Sequence, residues 1–364
     1  MNATDAAHRA HQLRHALTSR VVVADGAMGT MLQEADAPLE DFLGLEGCNE
    51  ILNVTRPDIV AAIHDAYLAV GVDCIETNTF GANLANLAEY DIPERIYELA
   101  LAGAKIARSR ADHWATAEKP RWVLGSMGPG TRLPTLGHTT YAELRDAYRD
   151  QARGLIDGGA DAVLIETAQD LLQAKAAIVG SRRALTETAS DALIIVQVTV
   201  ETTGTMLLGT EIGAALTALA PLGIDAIGLN CATGPNEMSE HLRTLARSSE
   251  LVLTCMPNAG LPTLTSDGAY YPLTPAELAD AHLGFATEFG VSLVGGCCGT
   301  TPEHLRQVVE RVGGQAIRPR RVEAEASVAS LYQAVPLRQD NTYLSIGERT
   351  NANGSKAFRE AMLD

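Results

Sequence analysis

What this chain lacks narrows it first. It has no surplus of positive charge: 28 Lys and Arg stand against 45 Asp and Glu, for a formal net charge of −17. A surface of that sign repels phosphate backbones and anionic lipid, so neither nucleic acid nor a membrane is an expected partner. No uninterrupted apolar run approaches the ~20 residues that a membrane span requires. The opening stretch M-N-A-T-D-A-A-H-R-A-H-Q-L-R places charges where a secretory signal needs an apolar segment. The expected compartment is therefore the cytoplasm, where thiols stay reduced. The six cysteines are then expected to be ligands, nucleophiles or core residues, not a disulfide framework. No two of them form a C-x-x-C pair.

What is present is material for a core. Of 364 residues, 46% are hydrophobic, enough for one large domain or two ordinary ones. Short β-branched runs at 21–24, 73–77, 122–126, 162–166, 193–198, 226–230, 251–255 and 291–294 read as buried parallel strands, apolar on both faces. Amphipathic stretches separate them. In the first, Ile59, Ile63, Tyr67 and Val70 share one helical face. Prolines near the first turn (Pro57, Pro235, Pro302) follow threonines that can cap (Thr55, Thr233, Thr301), and Gly71, Gly158–Gly159 and Gly223 close helices.

Eight strand–helix units predict an α/β protein, a (β/α)8 TIM barrel over residues 21–313, close to the ~250 residues usual for that fold. A doubly wound open sheet is the alternative, but it gathers its chemistry at one switch point. Here polar residues end nearly every strand: Asp25, Glu76-Thr77-Asn78, Ser126, Glu166, Cys231, Asn258 and Cys297. That distribution suits a closed barrel ringed by its C-terminal strand ends. Residues 1–20 read as an N-terminal helical extension. Residues 314–341 have little periodicity and read as an inter-domain linker. Residues 342–364 read as one strand, a polar loop and the opening of a helix, which cannot bury a core alone.

Three cysteines stand apart. Cys231 ends the run A-I-G-L-N-C, and Cys297 and Cys298 lie in G-G-C-C-G-T-T-P. Three thiols at strand ends can hold one Zn²⁺ and leave its fourth position open, the arrangement of a catalytic zinc. Neighbouring residues on a strand point to opposite faces, so the vicinal pair can share a metal only if the flanking glycines bend the chain. A redox-active vicinal disulfide is the competing reading of the same residues. Cys74 and Cys255 lie within apolar runs and read as core residues; Cys48 is assigned no role. The loop D-G-A-M-G-T, 25–30, follows the first strand and offers an acid beside backbone amides. That pairing suits a zwitterion: Asp25 for an ammonium, the amides of Gly26 and Ala27 for a carboxylate, and Glu166 as a second acid. Each of these residues taken alone reads better as a helix cap or a buried strand-end salt bridge.

The motifs D-G-A-M-G-T, E-T-N-T-F-G-A-N, G-L-N-C-A-T-G-P, M-P-N-A-G and G-G-C-C-G-T-T-P, in this order and at these intervals, resemble the homocysteine S-methyltransferase family. The resemblance implies a (β/α)8 barrel whose zinc is held by Cys231, Cys297 and Cys298. It implies that the amino-acid part of L-homocysteine is held by Asp25, Gly26 and Glu166. Zinc then takes up the homocysteine sulfur and displaces its proton, and the thiolate accepts a methyl group to give methionine. Asn258 is carried as a displaceable zinc ligand or substrate contact, with water as the alternative occupant of the fourth position. Ser126 and Thr77 are weaker candidates for polar contacts. The family's methyl donors include betaine, S-methylmethionine and methylcobalamin. I-G-E-R-T-N-A-N-G-S, 346–355, resembles the start of the pterin-binding domain of the cobalamin-dependent branch, with Asn353 where that pattern more often has Thr. This implies methylcobalamin as donor, bound by a module outside this chain, and cobalamin-binding and methyltetrahydrofolate-binding modules as partners. A zinc reservoir or thiol redox module is the alternative from another class.

Overall fold

The computed structural model describes residues 3–265, 268–340, 343 and 352–363. Eight parallel strands form the barrel: β1 Val22–Val23, β2 Cys74–Glu76, β3 Trp122–Met127, β4 Ala162–Ala168, β5 Leu193–Val198, β6 Ala226–Asn230, β7 Val252–Met256 and β8 Leu293–Val294. From β2 to β8 each pairs with the next in chain order and β8 pairs with β1, while β1 and β2 share no strand ladder among the described residues. The expected strands are these strands: β5 and β6 coincide with the expected runs, and the others differ by one or two residues at an end. The helices used below are α1 Ala3–Ser19, α2 Met28–Glu34, α3 Pro57–Ala69, α4 Ile96–Trp114, α5 Tyr141–Gly158, α6 Leu171–Thr188, α7 Ile212–Leu219, α8 Pro235–Ser248, α9 Pro275–Gly284 and α10 Pro302–Val312.

Side chains alternate along each strand, and the two sets feed two cores. Val23, Ile75, Val123, Val163, Ile194, Ile227, Leu253 and Val294 pack outward against the helices. Val22, Cys74, Trp122, Leu164, Leu193, Ala226 and Leu293 fill the interior and meet Ala10, Leu13, Ala16 and Leu17 of α1. The N-terminal extension is thus the floor of the barrel. Its apolar stripe closes the end where the strands begin.

Three ion pairs pin that floor. Arg20 meets Asp73 at 2.9 Å, Arg9 meets Asp161 at 2.8 Å, and Arg14 meets Asp225 at 3.1 Å. The three aspartates precede β2, β4 and β6, each two residues after a glycine with φ of 100°, 103° or 74°. Each also accepts a backbone N–H from the preceding strand, at Val23, Val123 and Ile194. One device is used three times: glycine ends the helix, and aspartate binds both the neighbouring strand and the floor.

The β1–β2 seam differs from the others. The Asp73 amide donates to Val23 O at 2.7 Å, but further up the Glu76 amide donates to the carboxylate of Asp25, at 3.0 Å to each oxygen. A side chain replaces a backbone rung there.

One expectation needs correction. Of the three threonines expected to cap, Thr301 alone is an N-cap; Arg56 and Gly234 intervene before α3 and α8. The segment 314–341, whose conformation the sequence leaves open, is ordered in part. Ser327–Ala329 pairs antiparallel with Ala334–Pro336, the Glu211 amide donates to Tyr332 O at 2.9 Å, and the Glu323 amide donates to Arg247 O at 2.7 Å. Backbone hydrogen bonds, which composition does not report, hold this segment on the barrel. The strand expected after residue 341 lies outside the described residues; the helix opening is Lys356–Ala361, capped by Ser355. No helix among the described residues is long and apolar enough to cross a membrane.

Candidate metal and substrate site

Beyond β6 the chain turns sharply. Cys231 and Ala232 both take a left-handed φ of 58°, and neither is glycine, so each carries about 1–3 kcal/mol of backbone strain. Thr167, one residue past Glu166 on β4, does the same at 53°. Beyond β8 the loop is stitched to its neighbours. The Gly296 amide donates to Asp25 O at 3.0 Å, the Cys297 amide to Pro257 O at 2.8 Å, and the Cys298 amide to Asn258 Oδ1 at 3.1 Å. His282 of α9 meets Gly295 O through Nε2 at 2.8 Å. A Cβ on Gly296 would lie 2.3 Å from Thr300 Oγ1, so only glycine permits the approach. The bend brings the sulfurs of both vicinal cysteines toward Cys231.

The three Sγ atoms lie within 4.8 Å of one another, and Cys231 Sγ is 3.9 Å from Cys298 Sγ. Zinc–sulfur bonds of about 2.3 Å in a tetrahedron place sulfurs roughly 3.8 Å apart. The donor set therefore fits a tetrahedral ion with three thiolates and one open position. Among the described residues it is the one such group of His, Cys, Asp or Glu. The thiols hydrogen-bond one another: contacts from Cys231 and Cys297 draw the Cys298 thiol down to about 3. The corresponding contacts with Cys231 and Cys298 push Cys297 well up. Cys74 and Cys255 are buried in the two cores and raised by burial. Cys48 is buried 3.9 Å from Glu50 Oε2.

A cavity of about 240 Å³ opens beside the sulfurs, walled by residues 26–30 and 76–80 and by Ser126, Glu166 and Thr167. Glu166 is fully oriented: the Ser126 hydroxyl donates to Oε1, and Asn230 Nδ2 donates to Oε2 at 3.0 Å. Burial raises its pKa to about 7, against the Ser126 hydrogen bond. Asp25 is raised well above the carboxylate range by burial, although the Glu76 amide opposes the shift. Glu76 is raised by burial and by the nearby charges of Glu166 and Asp25.

The expected site residues thus gather at one face, in different postures. The sulfurs of Cys231, Cys297 and Cys298 and the carboxylate of Glu166 border the cavity. Asp25 turns its carboxylate onto the Glu76 amide. Gly26 lines the cavity, and no described acceptor takes its amide; the Ala27 amide donates to Thr300 Oγ1 at 3.2 Å. Asn258 spends Oδ1 on the loop that carries Cys298. Thr77 is tied to the Ser126 amide at 3.0 Å.

A family model for homocysteine S-methyltransferase matches residues 22–312. The chain belongs to the homocysteine S-methyltransferase family. Methionine synthase from Mycobacterium tuberculosis (strain ATCC 25618 / H37Rv) is 62% identical over 347 residues, 95% of this chain and 29% of that protein. Methionine synthase from Mycobacterium leprae (strain TN) is 60% identical over 356 residues, 96% of this chain and 30% of that protein. The chain therefore spans about three-tenths of the length of these relatives. Among solved structures, the metallated homocysteine methyltransferase MmuM from Escherichia coli superposes with a TM-score of 0.66 at 23% identity. The match covers 80% of this chain and 96% of that one, a likeness of fold.

Within this homocysteine S-methyltransferase barrel, sequence reasoning passed over three residues. Glu76 was noted as a strand end and given no task. His282 reads as one polar residue in an amphipathic helix, and nothing local links it to Gly295. Tyr271, beyond β7, hydrogen-bonds Cys298, whose pKa it helps to lower. A Cβ on Gly299 would lie 2.2 Å from the Tyr271 ring. A tyrosine just outside a hairpin gives no sequence signal of that packing.

Proposed function

We propose that this barrel is the homocysteine-binding and activating module of a cobalamin-dependent methionine synthase. The observation that carries the proposal is the convergence of three thiols, with the separation a tetrahedral zinc requires, on a cavity that Glu76 and Glu166 also line. Cys231, Cys297 and Cys298 would hold Zn²⁺, and the ion would supply a way to keep a thiol deprotonated at neutral pH. The remaining work belongs to the chain's own groups. Ser126 and Asn230 fix the Glu166 carboxylate so that it faces the cavity before any ligand arrives. The acidic wall attracts an ammonium and repels phosphate and sulfate. The free amide of Gly26 offers a donor to a carboxylate at the other end of the same ligand. The strained turns at Thr167 and Cys231 are held by β4 and β6, so the groups need little rearrangement when substrate enters.

A zinc reservoir or redox module would need the sulfurs but not the oriented acid Glu166 in the same cavity. The methyl donor is assigned to methylcobalamin, presented by a module outside this chain. High identity to proteins named methionine synthase, and the resemblance of residues 346–355 to the start of a pterin-binding domain, support that branch over betaine or S-methylmethionine.

The test is metal content and zinc-edge absorption with and without L-homocysteine. One zinc per chain with three sulfur neighbours, rising to four with homocysteine, is expected. Cys231→Ser, Cys297→Ser and Cys298→Ser should each lose zinc and methyl transfer together, whereas Cys74→Ser and Cys255→Ser keep both. A folded Cys298→Ser protein with a full zinc complement would remove the assignment. In the same preparation, slow methionine formation from free methylcobalamin and none from betaine or S-methylmethionine is the expected donor pattern.

A further inference from the structure

Glu50, Glu76 and Glu166 line the cavity, Asp25 lies behind the end of β2, and the four carboxyl groups are not equivalent: Glu50 accepts the Gly81 amide at 2.7 Å. Asp25 gives both oxygens to the Glu76 amide, is almost completely buried and serves as a rung of the β1–β2 seam. Glu166 has a protein donor on each oxygen. Glu76 lines the cavity, yet no donor or cation among the described residues reaches its carboxylate. Glu166 and Asp25 add repulsion that works against its ionisation. Glu76 is half-buried, and a carboxyl group beside two others and without a protein donor is stabilised by a cation supplied from outside the protein.

Resting on the homocysteine reading above, we infer that Glu76 is a direct contact for the substrate's α-ammonium group and the residue that makes the site specific for amino-acid thiols. Asp25 acts through it, by fixing the end of β2 from which the Glu76 side chain projects. An ammonium has three N–H donors. Glu76 can accept one with no competitor and Glu166 another through its remaining lone pairs, and the positive charge relieves the repulsion among the acids. A thiol of the same length without the amino group leaves those carboxyls as they were.

The experiment compares zinc-loaded wild type with Glu76→Gln, using calorimetric titration of L-homocysteine and of 4-mercaptobutanoate, which lacks the amino group. Zinc content and thermal unfolding are measured in parallel. Loss of one charge-assisted hydrogen bond is worth roughly tenfold to a hundredfold in affinity. Glu76→Gln should weaken L-homocysteine by that factor and leave 4-mercaptobutanoate within about twofold. Zinc stoichiometry should be unchanged, and the ligand-free Tm no lower than wild type, because the substitution removes a strained acid. Equal weakening of both thiols, or of neither, overturns the assignment. So does loss of zinc or a fall in Tm, which would make Glu76 structural. Wild type supplies a check independent of the variant's folding. If it binds both thiols equally, there is no ammonium contact, and the inference fails while the zinc reading stands. If it binds neither thiol, the homocysteine reading fails and takes this inference with it.

Discussion

At the N-terminal end of the barrel, Asp73, Asp161 and Asp225 each face an arginine of the floor helix or its last turn and each accept a strand amide. At the C-terminal end, Asp25, Glu76 and Glu166 form no ion pair among the described residues. Both ends use carboxylates at strand termini. At the floor they are matched with cations and secure the strands. At the mouth they are crowded together with three thiols, and their pKa values are displaced upward. Carboxylates paired with cations mark the end that holds the fold; carboxylates without a cation mark the end that awaits a ligand.

The largest test of this contrast is Asp161→Ala. Asp161 is 1% exposed and pairs with both Arg9 and Arg108, so its removal leaves two poorly solvated guanidinium groups. A loss of about 3–5 kcal/mol is expected, read as a lower denaturant midpoint with zinc content intact in the folded fraction. A loss below about 1 kcal/mol would show that the floor is not held by these pairs.

At the mouth the expected sign is opposite. Glu166 in the folded protein titrates near 7 and in the unfolded chain near its ordinary value of 4.5. Between those values the folded state keeps a proton that the unfolded state has lost, so this residue's contribution to stability falls as pH rises through the window. One pKa unit corresponds to about 1.4 kcal/mol. Metal-free wild type should therefore lose stability relative to Glu166→Gln by a few kcal/mol at most between about pH 4.5 and 7. A difference that is flat across this range would place Glu166 among matched groups like those of the floor.

The smallest effect is expected from neither end. Deleting residues 342–364 should leave zinc binding and homocysteine affinity unchanged and stability within about 1 kcal/mol, because none of its described residues belongs to either barrel core. Unfolding on deletion would make it part of this domain. The proposal that it opens a second one would then be withdrawn.

Much of this contrast was legible in the chain. Eight apolar runs, nearly all ending in a polar residue, pointed to the barrel and its active face, because side-chain period and burial are local properties. The floor device was also written there, as G-V-D, G-A-D and G-I-D at 71–73, 159–161 and 223–225. It went unread because its partner arginines lie up to 211 positions away. The cysteine positions suggested zinc, but the left-handed φ of Cys231 did not show in a non-glycine residue.

The sequence by itself determined strand count, order and the identity of the donor atoms, since these follow from periodicity and residue chemistry. Only the tertiary structure decided which acid is free. Asp25, Glu76 and Glu166 are the same functional group at three strand ends. What separates them is whether a neighbouring strand's amide, a hydroxyl or nothing at all lies within hydrogen-bonding distance. That is set by barrel closure across the β1–β2 seam, where residues 51 positions apart meet.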